Sequence, residues 1–300
     1  MVKIVGWFLF EILWCLSDLI VKPRKMSCDK IYTAEAARKS FDEKNYHQLE
    51  KKKFTLPSDY QYSLSCELLI PQGKKDEEGA SAIAVLCHGL GYSRYGCLKY
   101  AQIYLKLGFH VVIYDHRNHG RSGKALTSMG YYERYDLKKV VDWCFRTYGK
   151  NSKVITHGES MGAATVLMHL EIDQRVSCAI ADCAYSDLNE LLKHQLKQYY
   201  HLPAFLIPVE SLLTYLRAGF WYRDVSPVRS VSTSEIPVLF VHGKMDHFVP
   251  SIMSKKMYAC KIRNKAIYLV AGARHAQSCC INPKGYEEVL RKFLLKCKVL

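Results

Sequence analysis

The amino-acid sequence predicts an α/β fold with a mostly parallel central sheet, helices on both faces and a helical insertion. Short, β-branched apolar runs alternate with stretches of helical periodicity, which is typical of repeated strand–loop–helix units. A chain of 300 residues is long enough for one large domain with its own core. The predicted strands are 82–87, 111–114, a run from 154, 179–181, 238–241 and 266–270, and the predicted helices include 98–107, 135–147 and a terminal helix from about 286.

The first 25 residues form a separate hydrophobic segment, with a helix predicted over 4–21. This segment barely reaches the length needed to cross a bilayer, and Glu11 and Asp18 are costly in hydrocarbon. The two acids are seven residues apart, so they share one face of a helix. Three dispositions stay open: a weak membrane anchor, a helix lying in the membrane interface, and a helix docked on the protein.

The residues after this helix bear on where the protein resides. Lys22, Arg24 and Lys25 follow it directly, so an anchored form would hold the rest of the chain on the cytoplasmic side. No small-residue cleavage site follows, which argues against a removed signal peptide. We therefore expect a cytoplasmic or membrane-associated protein, with any membrane contact through residues 4–21.

A polar connector is predicted between this helix and the main domain. Residues 26–53 are charged and favour helix, and the main domain is expected at 54–300. Its first strand is predicted in the alternating segment 60–71, which ends at a proline. A charged, glycine-bearing loop is expected at 72–81.

A Gly-x-Ser-x-Gly motif lies between a predicted strand and a predicted helix. The β-branched run 154–156 leads into Gly158-Glu159-Ser160-Met161-Gly162, and an alanine-rich stretch follows. Strand, sharp turn and helix together are the context of a nucleophile elbow. Neighbouring side chains would collide in so tight a turn, and the two glycines supply the missing bulk. Ser160 is therefore the predicted nucleophile.

Two further side chains follow predicted strands at the same edge of the sheet. Asp246 comes after the strand 238–241, and His275 comes after the last strand. In a parallel sheet the loops after the strand C-termini share one edge, where ligands bind. The order Ser160, Asp246, His275 predicts a catalytic triad in which the histidine takes the serine proton and the aspartate orients the imidazole. Asp182, which also follows a strand, is the alternative acid.

Two backbone amides are expected to form an oxyanion hole. Met161 follows the nucleophile, and Leu90 lies in His88-Gly89-Leu90-Gly91, the loop after the strand 82–87. The helix after Ser160 points its N-terminal amides at the same place. The sequence has no cysteine–histidine spacing typical of zinc, so no metal and no cofactor are expected.

These motifs together resemble the α/β-hydrolase superfamily over about residues 54–300. They are His88-Gly89-Leu90-Gly91, Asp115-His116-Arg117 with Gly120-x-Ser122, the Ser160 elbow, His242-Gly243-x-x-Asp246-x-x-Val249-Pro250 and Gly272-x-x-His275-Ala276. The tail from Val270 to Ser278 with Asn282-Pro283 is similar to a bacterial group of small, esterase-like serine hydrolases with an N-terminal membrane anchor. The resemblance implies an esterase-type fold and triad but does not fix the substrate, because this fold hosts many activities.

The segment 187–234 is the expected helical lid. Its stretches 188–200 and 204–220 are rich in leucine, tyrosine and phenylalanine. Some of these side chains should face the triad and form an apolar pocket for the acyl or the alcohol part of a substrate. The basic residues Lys193, Lys197, Arg217 and Arg223 are expected to be solvated, with contact to an acidic substrate group as the alternative.

Composition narrows the set of partners. The formal net charge is +15, yet no RNA- or DNA-binding motif accompanies it, so no nucleic-acid partner is expected. An anionic membrane surface fits the first residues better. The 12 cysteines lack metal-site spacing and predict a reducing compartment, with packing as the default role of Cys279-Cys280.

The predicted function is a serine hydrolase of the carboxylesterase type (EC 3.1.1) that forms an acyl-enzyme intermediate. Its substrate would be a small or medium ester with an apolar acyl or alcohol part. Two alternatives stay open: a serine peptidase or aminoacyl hydrolase, and a catalytically silent binding protein with the same fold.

Overall fold

The computed structural model describes the backbone of residues 2–74 and 82–300, and the side chains of residues 11–74 and 82–300. The predicted loop at 72–81 lies partly outside the described residues. So do the side chains of residues 4–10 in the predicted N-terminal helix.

One sheet of eight strands forms the centre of the described chain. The strands are β1 (Lys51–Pro57), β2 (Ser63–Leu69), β3 (Ala82–Cys87), β4 (His110–Tyr114), β5 (Lys153–Glu159), β6 (Cys178–Asp182), β7 (Val238–Gly243) and β8 (Lys265–Val270). Their order across the sheet is β1-β2-β4-β3-β5-β6-β7-β8. The strand β2 pairs antiparallel with both of its neighbours, whereas β3 to β8 are all parallel. The predicted mostly parallel sheet is confirmed.

Helices connect these strands and precede the first of them. They are α1 (Val2–Val21), α2 (Cys28–Ala37), α3 (Glu43–Gln48), α4 (Leu98–Lys106), α5 (Glu133–Tyr148), α6 (Met161–His169), α7 (Leu188–Gln195), α8 (Leu206–Ala218), α9 (Pro227–Thr233), α10 (Ile252–Cys260), α11 (Ser278–Ile281) and α12 (Pro283–Lys296). Alternate residues of the parallel strands point into two separate cores, as the period of two requires. The helices α4 and α12 cover one face, and α5 and α6 cover the other.

The first strand is a correction to the predicted layout. The strand β1 begins at Lys51, so the sheet starts inside the segment 26–53 that was predicted to be a helical connector. It lies at the edge of the sheet, and Leu56 is its one buried side chain. A solvated edge strand that carries three lysines shows no apolar alternation, which is why the pattern did not reveal it. The strand β2 is correspondingly shorter than the predicted segment 60–71.

The C-terminal half of α1 docks on the helical insertion. The Ser17 and Thr214 hydroxyls lie 3.4 Å apart in the contact with α8, and both residues are fully buried. Asp18 forms an ion pair with Arg217, whose guanidinium stacks 3.9 Å from the centre of the Trp14 ring. Of the three dispositions left open by the sequence, residues 11–21 adopt the docked one. Among the described residues, no helix combines the length and the apolar character needed to cross a bilayer.

Candidate active site

The turn between β5 and α6 holds Ser160 in a strained backbone conformation. Its φ of 55° and ψ of −116° lie where non-glycine residues are rare. A Cβ at Gly158 would come within 2.1 Å of the Gly162 carbonyl oxygen, and one at Gly162 within 2.2 Å of the Cys87 carbonyl oxygen. Both positions therefore require glycine for steric reasons, and the Ser160 side chain is held above the C-terminal edge of the sheet.

Asp246 and His275 lie in the loops that follow β7 and β8, and both reach Ser160's side of the sheet edge. The Nδ1 of His275 is 2.7 Å from Oδ2 of Asp246, and its Nε2 is 2.9 Å from Oγ of Ser160. An imidazole that donates its Nδ1–H to the aspartate presents an unprotonated Nε2, which accepts from the serine hydroxyl. The three side chains predicted from the sequence thus form one continuous hydrogen-bonded chain.

The Asp246 carboxylate is held in its charged form. Burial acts to raise its pKa, but hydrogen bonds from His242 and His275 lower it more, so the pKa falls to about 2. The backbone N–H groups of Phe248 and Val249 also donate to Oδ1, at 3.0 and 2.9 Å. A carboxylate satisfied on every side is fixed in position and stays ionised at neutral pH.

His242 is a residue that the sequence reasoning missed. It lies at the end of β7, with Nε2 3.2 Å from Oδ2 of Asp246 and 2.7 Å from the Val249 carbonyl oxygen. Its Nδ1 is 2.7 Å from the Ser254 hydroxyl, so both ring nitrogens are occupied. The spacing of four residues between His242 and Asp246 was the available signal, and it became meaningful only once the strand end was known.

Asp182, the alternative acid, lies beneath the nucleophile and faces away from His275. Its Oδ2 accepts a hydrogen bond of 3.0 Å from the Tyr100 hydroxyl, and burial raises the pKa of its carboxyl to about 6. The structure joins His275 to Asp246 and not to Asp182, so the geometry favours Asp246 as the acid of the triad.

The loop that carries Leu90 packs directly against the nucleophile. A Cβ at Gly89 would lie 3.5 Å from Cβ of Ser160, and both Leu90 and Met161 line the space around the serine. His88 braces this loop, since its Nδ1 is 2.7 Å from the Gly89 carbonyl oxygen. Burial lowers the pKa of His88 to about 3, so this ring stays neutral. The oxyanion-hole role of the two amides remains a prediction.

A buried ion pair joins the elbow to the loop of His275. Nζ of Lys99 is 2.5 Å from Oε2 of Glu159, and the same nitrogen donates to the Ala276 carbonyl oxygen at 3.0 Å. The Tyr100 hydroxyl also donates to Glu159, at 2.6 Å. Burial acts to lower the pKa of Lys99, but the Glu159 carboxylate raises it above its ordinary value. Sequence reasoning missed this brace, because nothing in the order of residues pairs position 99 with position 159.

One cluster near the triad has the residue types of a metal site. The described residues bring ligand atoms of Cys183, Asp246 and His275 within 4.8 Å of one another. Burial raises the pKa of the Cys183 thiol well above its ordinary value, and a protonated thiol is a poor ligand. The aspartate and the imidazole already bind each other, so this chemistry fits a proton relay better than a metal site.

Comparisons with known proteins agree with this geometry. The family model described as alpha/beta hydrolase fold matches residues 85–207. The Bacillus subtilis protein YqkD is 34% identical over 253 residues, which is 83% of this chain and 81% of that protein. The chain belongs to the α/β-hydrolase family. Such a relationship over most of both chains covers the Ser160 elbow and the sheet around it.

Other relatives share the fold at lower identity. This α/β-hydrolase chain is similar to the Pyrococcus furiosus esterase Pf2001, with a TM-score of 0.68, 22% identity and coverage of 85% of this chain and 94% of that one. The lysophosphatidylserine lipase ABHD12 of Macaca fascicularis is 27% identical over 189 residues, covering 59% of this chain and 45% of that protein.

Two cavities of different character flank Ser160 in this α/β-hydrolase. The first has a volume of about 260 Å³ and is bounded by α1, α7 and α8. Its apolar wall consists mainly of Leu16, Leu19, Ile20, Leu191, Leu192, Leu196, Leu206 and Ile207. The second, of about 570 Å³, is polar and includes Glu35, Arg38, Lys99, His275 and Gln277. The sequence predicted the contribution of the insertion to an apolar pocket and missed those of α1 and α2.

The cations of the insertion behave in two ways. Lys193, Lys197 and Arg223 are exposed, as expected. Arg217 departs from the expectation, because its side chain is only 9% exposed in the contact with Asp18 on α1. This arginine therefore ties the first helix to the insertion, and it is not a solvated charge.

Proposed function

We propose that this protein is a serine hydrolase that cleaves carboxylic esters through Ser160, His275 and Asp246. The observation that carries the proposal is the unbroken chain of 2.9 and 2.7 Å contacts from the serine hydroxyl to the aspartate. A strained serine with a neutral imidazole acceptor and a buried, ionised aspartate is the arrangement that nucleophilic acyl transfer needs.

The proposed reaction proceeds in two halves. His275 takes the Ser160 proton as Oγ attacks the ester carbonyl, and Asp246 stabilises the resulting imidazolium. The amides of Leu90 and Met161 would stabilise the oxyanion, each such donor contributing about 2.7–4 kcal/mol in comparable enzymes. The intermediate collapses as His275 protonates the leaving alcohol. Water, deprotonated by the same imidazole, then attacks the acyl-enzyme and releases the acid.

The position of His275 supports an assignment of the two cavities. The leaving alcohol must receive its proton from Nε2, so it has to lie on the histidine side of the serine. His275 borders the polar cavity and not the apolar one. We therefore assign the alcohol to the polar cavity and the acyl group to the apolar cavity, whose 260 Å³ suit a small or medium chain.

The helices over the acyl cavity are proposed to act as a lid. The segment 187–234, with α7 and α8, covers one side of the nucleophile, and α1 completes the wall. An ester-cleaving function agrees with the esterase and lipase activities stated in the names of the Pyrococcus and macaque relatives.

Labelling with a fluorophosphonate probe tests the proposal. The purified chain should react, and Ser160→Ala should abolish both labelling and hydrolysis of p-nitrophenyl esters. Ser186→Ala, at a buried serine outside the triad, is the matched control and should label normally. A wild-type protein that neither labels nor turns over any ester would favour the silent binding protein. Faster cleavage of aminoacyl amides than of esters would favour the peptidase.

A further inference from the structure

A single carboxyl lies in the wall of the apolar cavity. Glu210 on α8 is 3% exposed and borders the same cavity as Ser160. Its Oε1 meets the Tyr222 hydroxyl at 3.3 Å, whereas Oε2 has no hydrogen-bond partner among the described residues. The other described residues of this wall offer no second carboxyl and no amine.

The neighbours of Glu210 cannot satisfy this oxygen. The Tyr222 hydroxyl lies 2.9 Å from that of Thr214, which in turn contacts Ser17, and all three residues are fully buried. Arg217 on the same helix is engaged with Asp18. The cluster therefore uses its own donors internally and leaves one acceptor directed at the cavity.

Burial of an unpaired carboxyl is unfavourable for folding, so a partner from outside the chain gives it a physical reason. Burial raises the pKa of Glu210 to about 7, although Tyr222 and Arg217 act to lower it. Near neutral pH this carboxyl can therefore either donate or accept a hydrogen bond.

We propose that Glu210, supported by Tyr222, forms a hydrogen-bonding subsite for a hydroxyl group on the acyl chain of the substrate. The inference rests on the proposed function, because it takes the apolar cavity as the acyl site. A hydroxyl has one hydrogen to donate and fits the one unsatisfied oxygen. An ammonium group has three and would find too few acceptors in this wall.

The test compares p-nitrophenyl esters of one medium-length acid with and without a single hydroxyl, placed at successive carbons. The wild-type protein should prefer at least one hydroxylated ester about tenfold in kcat/KM, as expected for one buried hydrogen bond. Glu210→Leu should lose this preference and cleave the plain ester at least as well. Glu210→Gln should keep part of it, because the amide still binds a hydroxyl. Glu287→Leu, on the outer helix α12, is the matched control and should behave as wild type.

The outcomes separate the subsite from the hydrolase function. Loss of the preference in Glu210→Leu alone supports the proposal. No preference at any position, or a preference that survives Glu210→Leu, overturns it, as does a stronger preference for an amino-substituted ester. If no ester is hydrolysed, binding of the corresponding acids to Ser160→Ala, followed by thermal shift, decides the matter independently. Larger stabilisation by a hydroxy acid that disappears in the Glu210→Leu double variant then supports the subsite, and equal stabilisation overturns it.

Discussion

The two sides of Ser160 are built from different parts of the chain. On the polar side, the groups come from the loops of the sheet edge and from α2, and they are tied by hydrogen bonds and ion pairs. On the apolar side, the wall comes from α1 and the insertion, and it is held mainly by packing of leucines and isoleucines. The position of the reacting groups is therefore set by the sheet, whereas the acyl selectivity is set by helices added to it.

The largest expected effect is on the sheet side, at Asp246. Asp246→Asn should lower kcat by about 10⁴-fold, because an amide cannot hold the imidazole in the required tautomer or stabilise its cation. Hydrolysis of a p-nitrophenyl ester measures it. Asp182→Asn is the comparison variant, since that carboxyl meets Tyr100 and not His275, and its loss should stay below about tenfold. A larger loss in Asp182→Asn than in Asp246→Asn would exchange their roles.

The backbone of the elbow should be nearly as sensitive, but in stability. Gly158→Ala places a Cβ 2.1 Å from a carbonyl oxygen and should cost more than about 4 kcal/mol in the free energy of unfolding. Gly89→Ala meets Ser160 at an ordinary 3.5 Å and should cost less than about 1 kcal/mol. Urea unfolding followed by circular dichroism compares them. Equal losses would mean that the close approach at Gly158 relaxes without cost.

The buried pair of Lys99 and Glu159 should come next. Lys99→Met leaves the Glu159 carboxylate buried without its cation, which should cost about 3–5 kcal/mol of unfolding free energy. It also removes the donor to the Ala276 carbonyl, so kcat should fall as the His275 loop shifts. Adding Glu159→Gln should recover much of the stability. Strictly additive losses in the double variant would show that the two side chains do not act as a pair.

On the apolar side, the effects should depend on the substrate. Leu192→Trp fills part of the cavity and should lower kcat/KM for a medium-chain ester at least about tenfold, because a well-packed site rejects the added volume. The acetyl ester should change less than about twofold. Leu216→Trp is the control, since that side chain on α8 is 73% exposed and lies outside the cavity wall. A uniform loss for all chain lengths would contradict the assignment of this cavity to the acyl group.

This division also explains what the sequence could predict. The fold class is confirmed because parallel strands are buried on both faces and carry strong apolar runs. Ser160, Asp246 and His275 were predicted as a set, since each follows a strand and strand ends converge at one edge. The geometry brings the three together, and their catalytic role remains a proposal.

The groups that the sequence did not reveal lack any such rule. Lys99 reaches Glu159 across 60 positions, and Ser17 reaches Thr214 across 197, with no periodicity to relate them. The edge strand β1 is solvated and polar, so its sequence resembles a connector. Glu210 looks like any helical acid until the tertiary structure shows that its side is buried. Long-range pairing of side chains is specified by the folded sheet and its cover, not by local pattern.

The smallest effect should come from the contact that holds α1 on the insertion. Asp18→Asn removes the charge that pairs with Arg217, a partly exposed interaction worth about 1 kcal/mol or less. Because Leu16, Leu19 and Ile20 belong to the cavity wall, loosening α1 should raise KM for a medium-chain ester about two- to fivefold and leave the acetyl ester unchanged. Salt screens such a pair, so the wild-type KM should rise with ionic strength and approach that of the variant. A variant KM equal to that of wild type at low salt would mean that the packing of Ser17 and Trp14 fixes the helix without the ion pair, and the wall would then be as rigid as the sheet edge it faces.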